Sequence, residues 1–311
     1  MPTAVVSGVA GFVGSNLAEA LLERGYPVRG IDNFATGHER NLEPLRSHDE
    51  FSFTEGDIRD GDLMADLLDG TDSLFHQAAV PSVPRSVDDP VTSTDANCTG
   101  TATVLDAARR AGVETAVVAS SSSVYGSSEE LPKVETMTSS PESPYALSKY
   151  YTEQFAVQCS QFYDIDTVAL RYFNVFGPRQ DPEGEYAAVI PKFIGLLLDG
   201  ERPVIYGDGE QSRDFTYIDN VVEANIRAAE EDVSGEVFNV ACGGRVTINE
   251  LVETLNGLLG TELDPIHDDP RPGDVRHSRA DVSKARNLLG YEPAVGFREG
   301  LERTVAHFRQ N

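Results

Sequence analysis

Thr3-Ala4-Val5-Val6-Ser7-Gly8-Val9-Ala10-Gly11-Phe12-Val13-Gly14 decides the fold. A short β-branched run passes straight into a GxxGxxG turn, and an apolar helical pattern, Phe12–Arg24, follows at once. Glycines at these spacings let the backbone turn sharply and approach a ligand, while free N–H groups and the dipole at the helix start favour an anion. Gly8, Gly11, Phe12, Val13 and Gly14 are therefore read as a cradle for a pyrophosphate. Strand, glycine turn and helix in that order predict the first βαβ unit of a dinucleotide-binding sheet.

The alternation continues outward from this unit. Thr3–Ser7, Val28–Ile31, Phe51–Thr54, Ser73–His76, Thr115–Ser120 and Asp166–Leu170 read as strands, with helix-length segments such as Phe12–Arg24 and Val91–Ala111 between them. This pattern predicts an α/β protein with a doubly wound, parallel-sheet Rossmann domain. After Arg171 the regularity breaks into shorter elements punctuated by Gly and Pro, the mark of a smaller α/β substrate-binding domain. The expected division is 1–171 plus about 216–242 for the first domain, and 172–215 plus 243–311 for the second. Glu236–Val240 is expected to return to the main sheet.

Composition narrows the partners. The 311 residues carry 25 Lys+Arg against 51 Asp+Glu, a formal charge of −26. A phosphate-binding surface needs net basic character, so nucleic acid and anionic membrane are excluded as general partners. Only four of the basic residues are lysines: Lys133, Lys149, Lys192 and Lys284. Cys98, Cys159 and Cys242 neither pair off into a disulfide framework nor sit at metal-finger spacing, so no metal site is expected. No apolar run approaches the ~18 residues of a membrane span, and no targeting segment is apparent. A cytoplasmic protein is the expectation.

The second strand leads to Asp32, 24 residues beyond Gly8. An acidic residue at that strand end accepts hydrogen bonds from an adenine-ribose diol and repels a 2′-phosphate. The following Asn33-Phe34 offers no arginine, so NAD is favoured over NADP. A solvated turn residue is the alternative reading of Asp32. Asp57-Ile58, after the third strand, is expected to line the adenine edge in the same way.

Tyr145 and Lys149 stand at i and i+4 in the helical segment Ser143–Phe162, so they share one face. Eleven tyrosines and four lysines in 311 positions make that spacing rare by accident. Tyrosine is a poor base at its usual value near 10, and bringing it near 7 takes about 4 kcal/mol in favour of the phenolate. A neighbouring ammonium and an oxidised nicotinamide, both positive, are expected to supply that. Upstream, the strand Thr115–Ser120 ends in Ser120-Ser121-Ser122-Ser123-Val124-Tyr125-Gly126, placing serine hydroxyls where open α/β sheets bind ligands.

With these residues in view, the chain resembles the extended short-chain dehydrogenase/reductase family and, within it, UDP-sugar 4-epimerases, above all those acting on UDP-N-acetylglucosamine. The likeness runs from Thr3 to about Leu301. It rests on Gly8–Gly14, His76-Gln77-Ala78-Ala79, Ser121 with Val124-Tyr125-Gly126, Tyr145–Lys149, Leu170–Gln180, Tyr186–Lys192, Ser212–Phe215 and Arg271–Asp274. The resemblance implies tightly bound NAD, Ser121 and Tyr145 as the proton-handling pair, and Lys149 also on the nicotinamide ribose. It assigns Asn97 to the cofactor, Asn174 to the nucleotide diphosphate, Arg213 and Arg271 to the phosphates, Asp274 to the uridine ribose, and Tyr206 to stacking on uracil. Ala78, Ala79 and Phe173 are placed at the cofactor on the same basis, and Ser82, Ser122 and Val189 at the substrate. Ser278 falls where the family walls the pocket near the sugar C2. Enzymes restricted to plain sugars have tyrosine there, so serine implies room for an N-acetyl group.

Related 4,6-dehydratases carry an acidic pair where this chain has Ser122-Ser123, and uronate decarboxylases a glutamate at the position of Ser123. Epimerisation is thus the expectation. A uronate 4-epimerase, another NAD-linked UDP-sugar enzyme and a non-catalytic dinucleotide sensor are the alternatives. The resemblance further implies a homodimer, packed through two helices from each subunit, Val91–Ala111 and Ser143–Phe162. An anionic substrate approaching a chain of charge −26 meets long-range repulsion, which ~1 M salt would suppress by shrinking the Debye length to ~3 Å. Together with the scarcity of lysine, this points to a salt-rich cytoplasm; an ordinary acidic protein is the alternative.

Overall fold

The computed structural model describes residues 2–182, 188–270 and 275–310. Among them, β1 (Ala4–Ser7), β2 (Val28–Asp32), β3 (Phe51–Glu55), β4 (Ser73–His76), β5 (Thr115–Ser121), β6 (Asp166–Tyr172) and β7 (Glu236–Val240) form one sheet. All pair in parallel, in the order β7-β6-β5-β4-β1-β2-β3. The direction of winding reverses between β1 and β4, which pair from Ala4 with Ser73 to Ser7 with His76. Every residue of β1 is buried, as a strand covered by helices on both faces must be.

The helices, in chain order, are α1 (Phe12–Glu23), α2 (Gly61–Leu68), α3 (Val83–Asp88), α4 (Pro90–Thr94), α5 (Gly100–Ala111), α6 (Pro144–Phe162), α7 (Val189–Leu198), α8 (Ile218–Glu230), α9 (Ile248–Leu259), α10 (Ser283–Leu289) and α11 (Phe297–Phe308). On one face of the sheet, α2, α5 and α6 bury Met64, Leu68, Val104, Leu105 and Ala156. On the other, Leu17 and Leu21 of α1 join Val221 of α8 in a core that continues through Phe193 of α7, Leu251 of α9 and Leu301 of α11. Three two-stranded ribbons complete the irregular part: Val175–Phe176 with Thr216–Tyr217, Ser212–Arg213 with Val246–Thr247, and Val204–Tyr206 with Ile266–Asp268.

Each expected strand is present, and four run further than expected, β2 to Asp32, β3 to Glu55, β5 to Ser121 and β6 to Tyr172. Glu236–Val240 does return to the sheet, beside β6. The expected single helix over Val91–Ala111 is corrected: α4 widens into one π-helical turn, Asp95–Thr99, before α5 begins. The cause is a buried amide. Within that turn Asn97 is 2% exposed, accepts from the Val80 N–H at 2.7 Å and donates to Ser148 Oγ at 3.0 Å. Thr101 Oγ1 closes the loosened turn on the Asn97 carbonyl at 2.6 Å.

The seat of α6 is set by charge. Glu153 accepts from Arg171 Nε at 2.9 Å and Nη2 at 2.6 Å, and from Ser120 Oγ at 2.8 Å. Glu153 and Arg171 side chains are 0% and 4% exposed, so the helix is tied to β5 and β6 by a buried, bidentate pair. No helix among the described residues is long and apolar enough to cross a membrane.

Candidate active site

A cavity of about 1240 Å³ opens at the carboxyl ends of the strands, where β1 and β4 diverge. Its near wall is the glycine turn. Gly8 adopts φ +73, and a Cβ there would lie 2.7 Å from the Ala78 backbone. A Cβ on Gly14 would sit 2.1 Å from the Gly8 carbonyl oxygen, so nothing larger than glycine fits between turn and helix. Gly11 begins α1 with no side chain to cap it. The Gly11 N–H is taken by the Gly8 carbonyl at 3.0 Å, and the helix start at Phe12, Val13 and Gly14 presents its free N–H donors to the cavity, the chemistry a pyrophosphate requires.

Asp32 closes one end of this wall. It is 8% exposed and accepts from Ala10 N–H at 3.0 Å and Phe34 N–H at 2.8 Å. Burial pushes its carboxyl up, and those backbone donors pull the other way. Asn33, Asp57 and Ile58 line the cavity beside it. Arg59 chelates Asp57 and holds its carboxyl down at about 2. Ala78 and Ala79, at the end of β4, form the opposite edge. Behind them His76 is fully buried, bonded to Ser7 Oγ at 2.7 Å and Thr101 Oγ1 at 3.0 Å; burial, then the Lys149 charge, pull it to about 3, so it is neutral.

The α6 start supplies the reactive groups. Ser143 caps the helix by accepting from Ala146 N–H at 3.1 Å, and Pro144 sets its first turn. Tyr145 and Lys149 then reach the cavity one helical turn apart. Ser121 lies beside the Tyr145 hydroxyl and pulls its phenol down, and its own Oγ accepts from Ser123 Oγ at 2.9 Å. Lys149 donates to the Ala119 carbonyl at 2.9 Å and is 5% exposed. Burial pulls its ammonium down to about 8 and pushes the Tyr145 phenol up, against the pull of Ser121. In the protein alone, burial therefore leaves Tyr145 protonated at neutral pH.

Other expected site residues are placed differently. Asn97 lies behind the wall, its amide committed to Val80 and Ser148, so it positions the loop after β4. Phe173 is wholly buried, its ring against Tyr125 at 6.1 Å and its N–H donating to the Val240 carbonyl at 3.1 Å. Ser82 lines the cavity with φ +96, and its side chain caps α3. Ser122 is half-buried at the first position of the turn after β5. Asn174 has φ +36 and donates to the Asp214 carbonyl at 3.3 Å. Val189 opens α7, while Tyr206 and Arg213 sit on separate ribbons. Ser278 N–H donates to the Ser212 carbonyl at 2.9 Å, on the same side of the molecule as Arg213. Arg271 and Asp274 lie outside the described residues.

Tyr172, within the Leu170–Gln180 stretch, has no role assigned to it from the sequence. Its hydroxyl is anchored at 3.0 Å to both Gln77 and Asn225, and it lines the cavity with Gln77. Its place at the end of a strand beside β5 was the available signal.

A glycine-cradled Rossmann cavity with a Tyr–Lys helix beside a strand-end serine defines a short-chain dehydrogenase/reductase site. The pattern of the NAD dependent epimerase/dehydratase family matches residues 4–241, and the chain belongs to that family. UDP-glucose 4-epimerase of Mycolicibacterium smegmatis is 41% identical over 307 residues, 98% of each chain. The solved UDP-N-acetylglucosamine 4-epimerase from Methanobrevibacter ruminantium, in complex with UDP-N-acetylmuramic acid, superposes with a TM-score of 0.95 at 41% identity, covering 99% of this chain and 98% of that one. UDP-glucuronic acid 4-epimerase from Bacillus cereus, solved with UDP-glucuronic acid and NAD, gives 0.92 at 32%, with 99% of both chains covered.

The buried Lys149 makes a prediction about stability. Its ammonium titrates at about 8 when folded and near 10.5 when exposed, so between those values the unfolded chain binds more protons. Stability of cofactor-stripped protein should rise as pH climbs from about 8 to about 10.5, with a cost of about 3 kcal/mol in place below that window. Lys149→Met should remove the rise and be more stable than wild type at pH 7, as read by urea unfolding. Equal pH slopes in the two proteins would refute the buried-charge assignment.

Proposed function

We propose that the protein interconverts the C4 epimers of a UDP-hexose, UDP-GlcNAc with UDP-GalNAc, and UDP-Glc with UDP-Gal as a second pair. The observation that carries this is Tyr145 one helical turn from buried Lys149 on the cavity wall, with Ser121 at the end of β5, at the switch point of the sheet. The similar enzymes above support the substrate class. The glycine turn, the α1 start and Asp32 fit NAD, which supplies the hydride acceptor, and then donor, at C4 of the sugar. Tyr145 takes the proton of the 4-hydroxyl through Ser121 and returns it after the 4-keto sugar has turned over. Lys149, positive below about 8, favours the phenolate and orients the nicotinamide ribose. Net oxidation is zero, so no second redox substrate is needed.

Residues 1–171 with 216–242 form the cofactor half of this reading, and 172–215 with 243–311 the half that grips UDP. Asn174, Tyr206 and Arg213 hold the nucleotide, together with Arg271 and Asp274, while Val189, Ser82 and Ser122 border the sugar. The side chains of Val87, Val91, Leu147 and Tyr151 form an exposed apolar strip along α3, α4 and α6, which fits a homodimer packed through α4–α5 and α6. A cytoplasmic, salt-rich setting accounts for the charge of −26.

Five measurements test the reading. Denatured protein should release NAD, and native protein should turn over UDP-GlcNAc in a side-by-side assay with UDP-Glc and UDP-GlcA. Tyr145→Phe should keep its NAD yet lose about 10²–10⁴ in rate. Activity confined to UDP-GlcA would favour the uronate enzyme, and NAD without any turnover a sensor. Ser278→Tyr should abolish turnover of acetylated sugars and spare UDP-Gal; equal losses on both would refute the role of Ser278. Finally, melting temperature and activity should both rise between 0.1 and 2 M KCl, and flat profiles would remove the salt-rich setting.

A further inference from the structure

Ser278, the residue proposed to wall the sugar, lies on a segment that touches the proton-handling strand only indirectly. The link is Asn239 of β7, which is fully buried. Its Oδ1 accepts from the Tyr125 hydroxyl at 2.7 Å. Its Nδ2 donates to the Lys133 carbonyl at 3.0 Å and to the Asp281 carbonyl at 3.2 Å. Its backbone N–H donates to Glu135 Oε1 at 2.8 Å. Every hydrogen-bonding position of the amide side chain but one lone pair is therefore used, and each partner belongs to a different piece of the site.

Tyr125 ends the short turn that begins at Ser122, immediately after Ser121. Its ring lies under the Arg171 guanidinium at 4.7 Å, the same arginine that grips Glu153 of α6. Lys133 pairs with the sugar-side segment: its N–H donates to the Arg279 carbonyl and its carbonyl accepts from Asp281 N–H, both at 2.8 Å. Asp214 holds that segment from the other side, accepting from Ala280 N–H at 3.1 Å as well as from Cys242 and Gly243 beyond β7. An apolar side chain at 239 would fill the same space. The amide instead fixes three separated stretches of chain to one point, which is what a buried polar group does better than a packed methyl.

The geometry points to Asn239 as a positioning residue: a buried hub that keeps the segment carrying Ser278 in register with the turn behind Ser121, so that sugar preference and proton transfer are set together. This rests on the epimerase reading for its kinetic consequence, but not for its structural one.

Hydrogen exchange tests the structural part. In Asn239→Leu, amides of 278–281 and of 123–125 should exchange at least about tenfold faster, while β1 stays protected. Glu135→Ala cuts the connection from the half-buried rim and should loosen 278–281 even if Asn239→Leu does not fold. Tyr125→Phe severs only the other arm, and should lower kcat about fivefold with KM and the ratio of UDP-GlcNAc to UDP-Glc turnover within twofold of wild type. Asn239→Leu and Glu135→Ala should shift that ratio at least about fivefold, measured well below their melting temperatures. Unchanged exchange at 278–281, or variants that melt lower while keeping the wild-type ratio, would overturn the proposal. Wild-type protein inactive on both sugars would instead overturn the epimerase reading, leaving exchange alone to decide the hub.

Discussion

The Glu153–Arg171 pair is the constraint on which the site depends. Two charges out of water are costly, and a pair of apolar residues of similar volume would often be as stable. Removing one partner is a different matter, costing about 3–5 kcal/mol because the other is left buried and uncompensated. The bidentate geometry permits one register of α6 against β5 and β6, and Ser120 adds a third contact to the same carboxylate. Tyr145 and Lys149 lie two turns and one turn before Glu153 on that helix. Their distance from Ser121 and the Ala119 carbonyl is thus inherited from an ion pair that touches no ligand.

Electrostatics divides between short and long range. Around the cavity, three charged groups are committed at contact distance: Asp57 to Arg59, Lys149 to a carbonyl, Asp32 to two backbone donors. The surplus of carboxylates belongs to the surface, where arginines bind them in pairs such as Arg276 with Asp208 and Arg303 with Asp219 and Glu299. Exposed pairs of this kind add little stability singly. The site holds its own groups by local donors, and the net charge of the chain reaches it only through the long-range field that salt screens.

The sheet and its order of helices were legible because β-branched runs and glycine turns are local signals, and the Tyr145–Lys149 spacing is local too. Ser121 was legible from its strand, although the strand proved one residue longer than its apolar pattern, since Ser121 continues the ladder opposite Tyr172. What could not be read were groups that meet across sequence. Nothing local in Asn239 announces Tyr125, 114 positions away, and the pairing of Tyr172 with Gln77 and Asn225 arises only when three strand and helix ends converge. Asn97, which the resemblance assigns to the cofactor, is a further case: the π turn aims its amide at Val80 and Ser148, 17 and 51 positions away.

That turn has a consequence for how the chain can vary in length. One extra residue between α4 and α5 is what lets Asn97 face inward while Val104, Leu105 and Ala108 still face α2. Deleting any one residue of 95–99 would close the wide turn into an uninterrupted α-helix and leave α5 facing α2 as before, because the π turn is what absorbs the extra residue; what would be lost is the inward amide of Asn97. The helix can therefore lose one link and keep its packing, but the loop after β4 would then lose the amide that holds Val80 at both its N–H and its carbonyl.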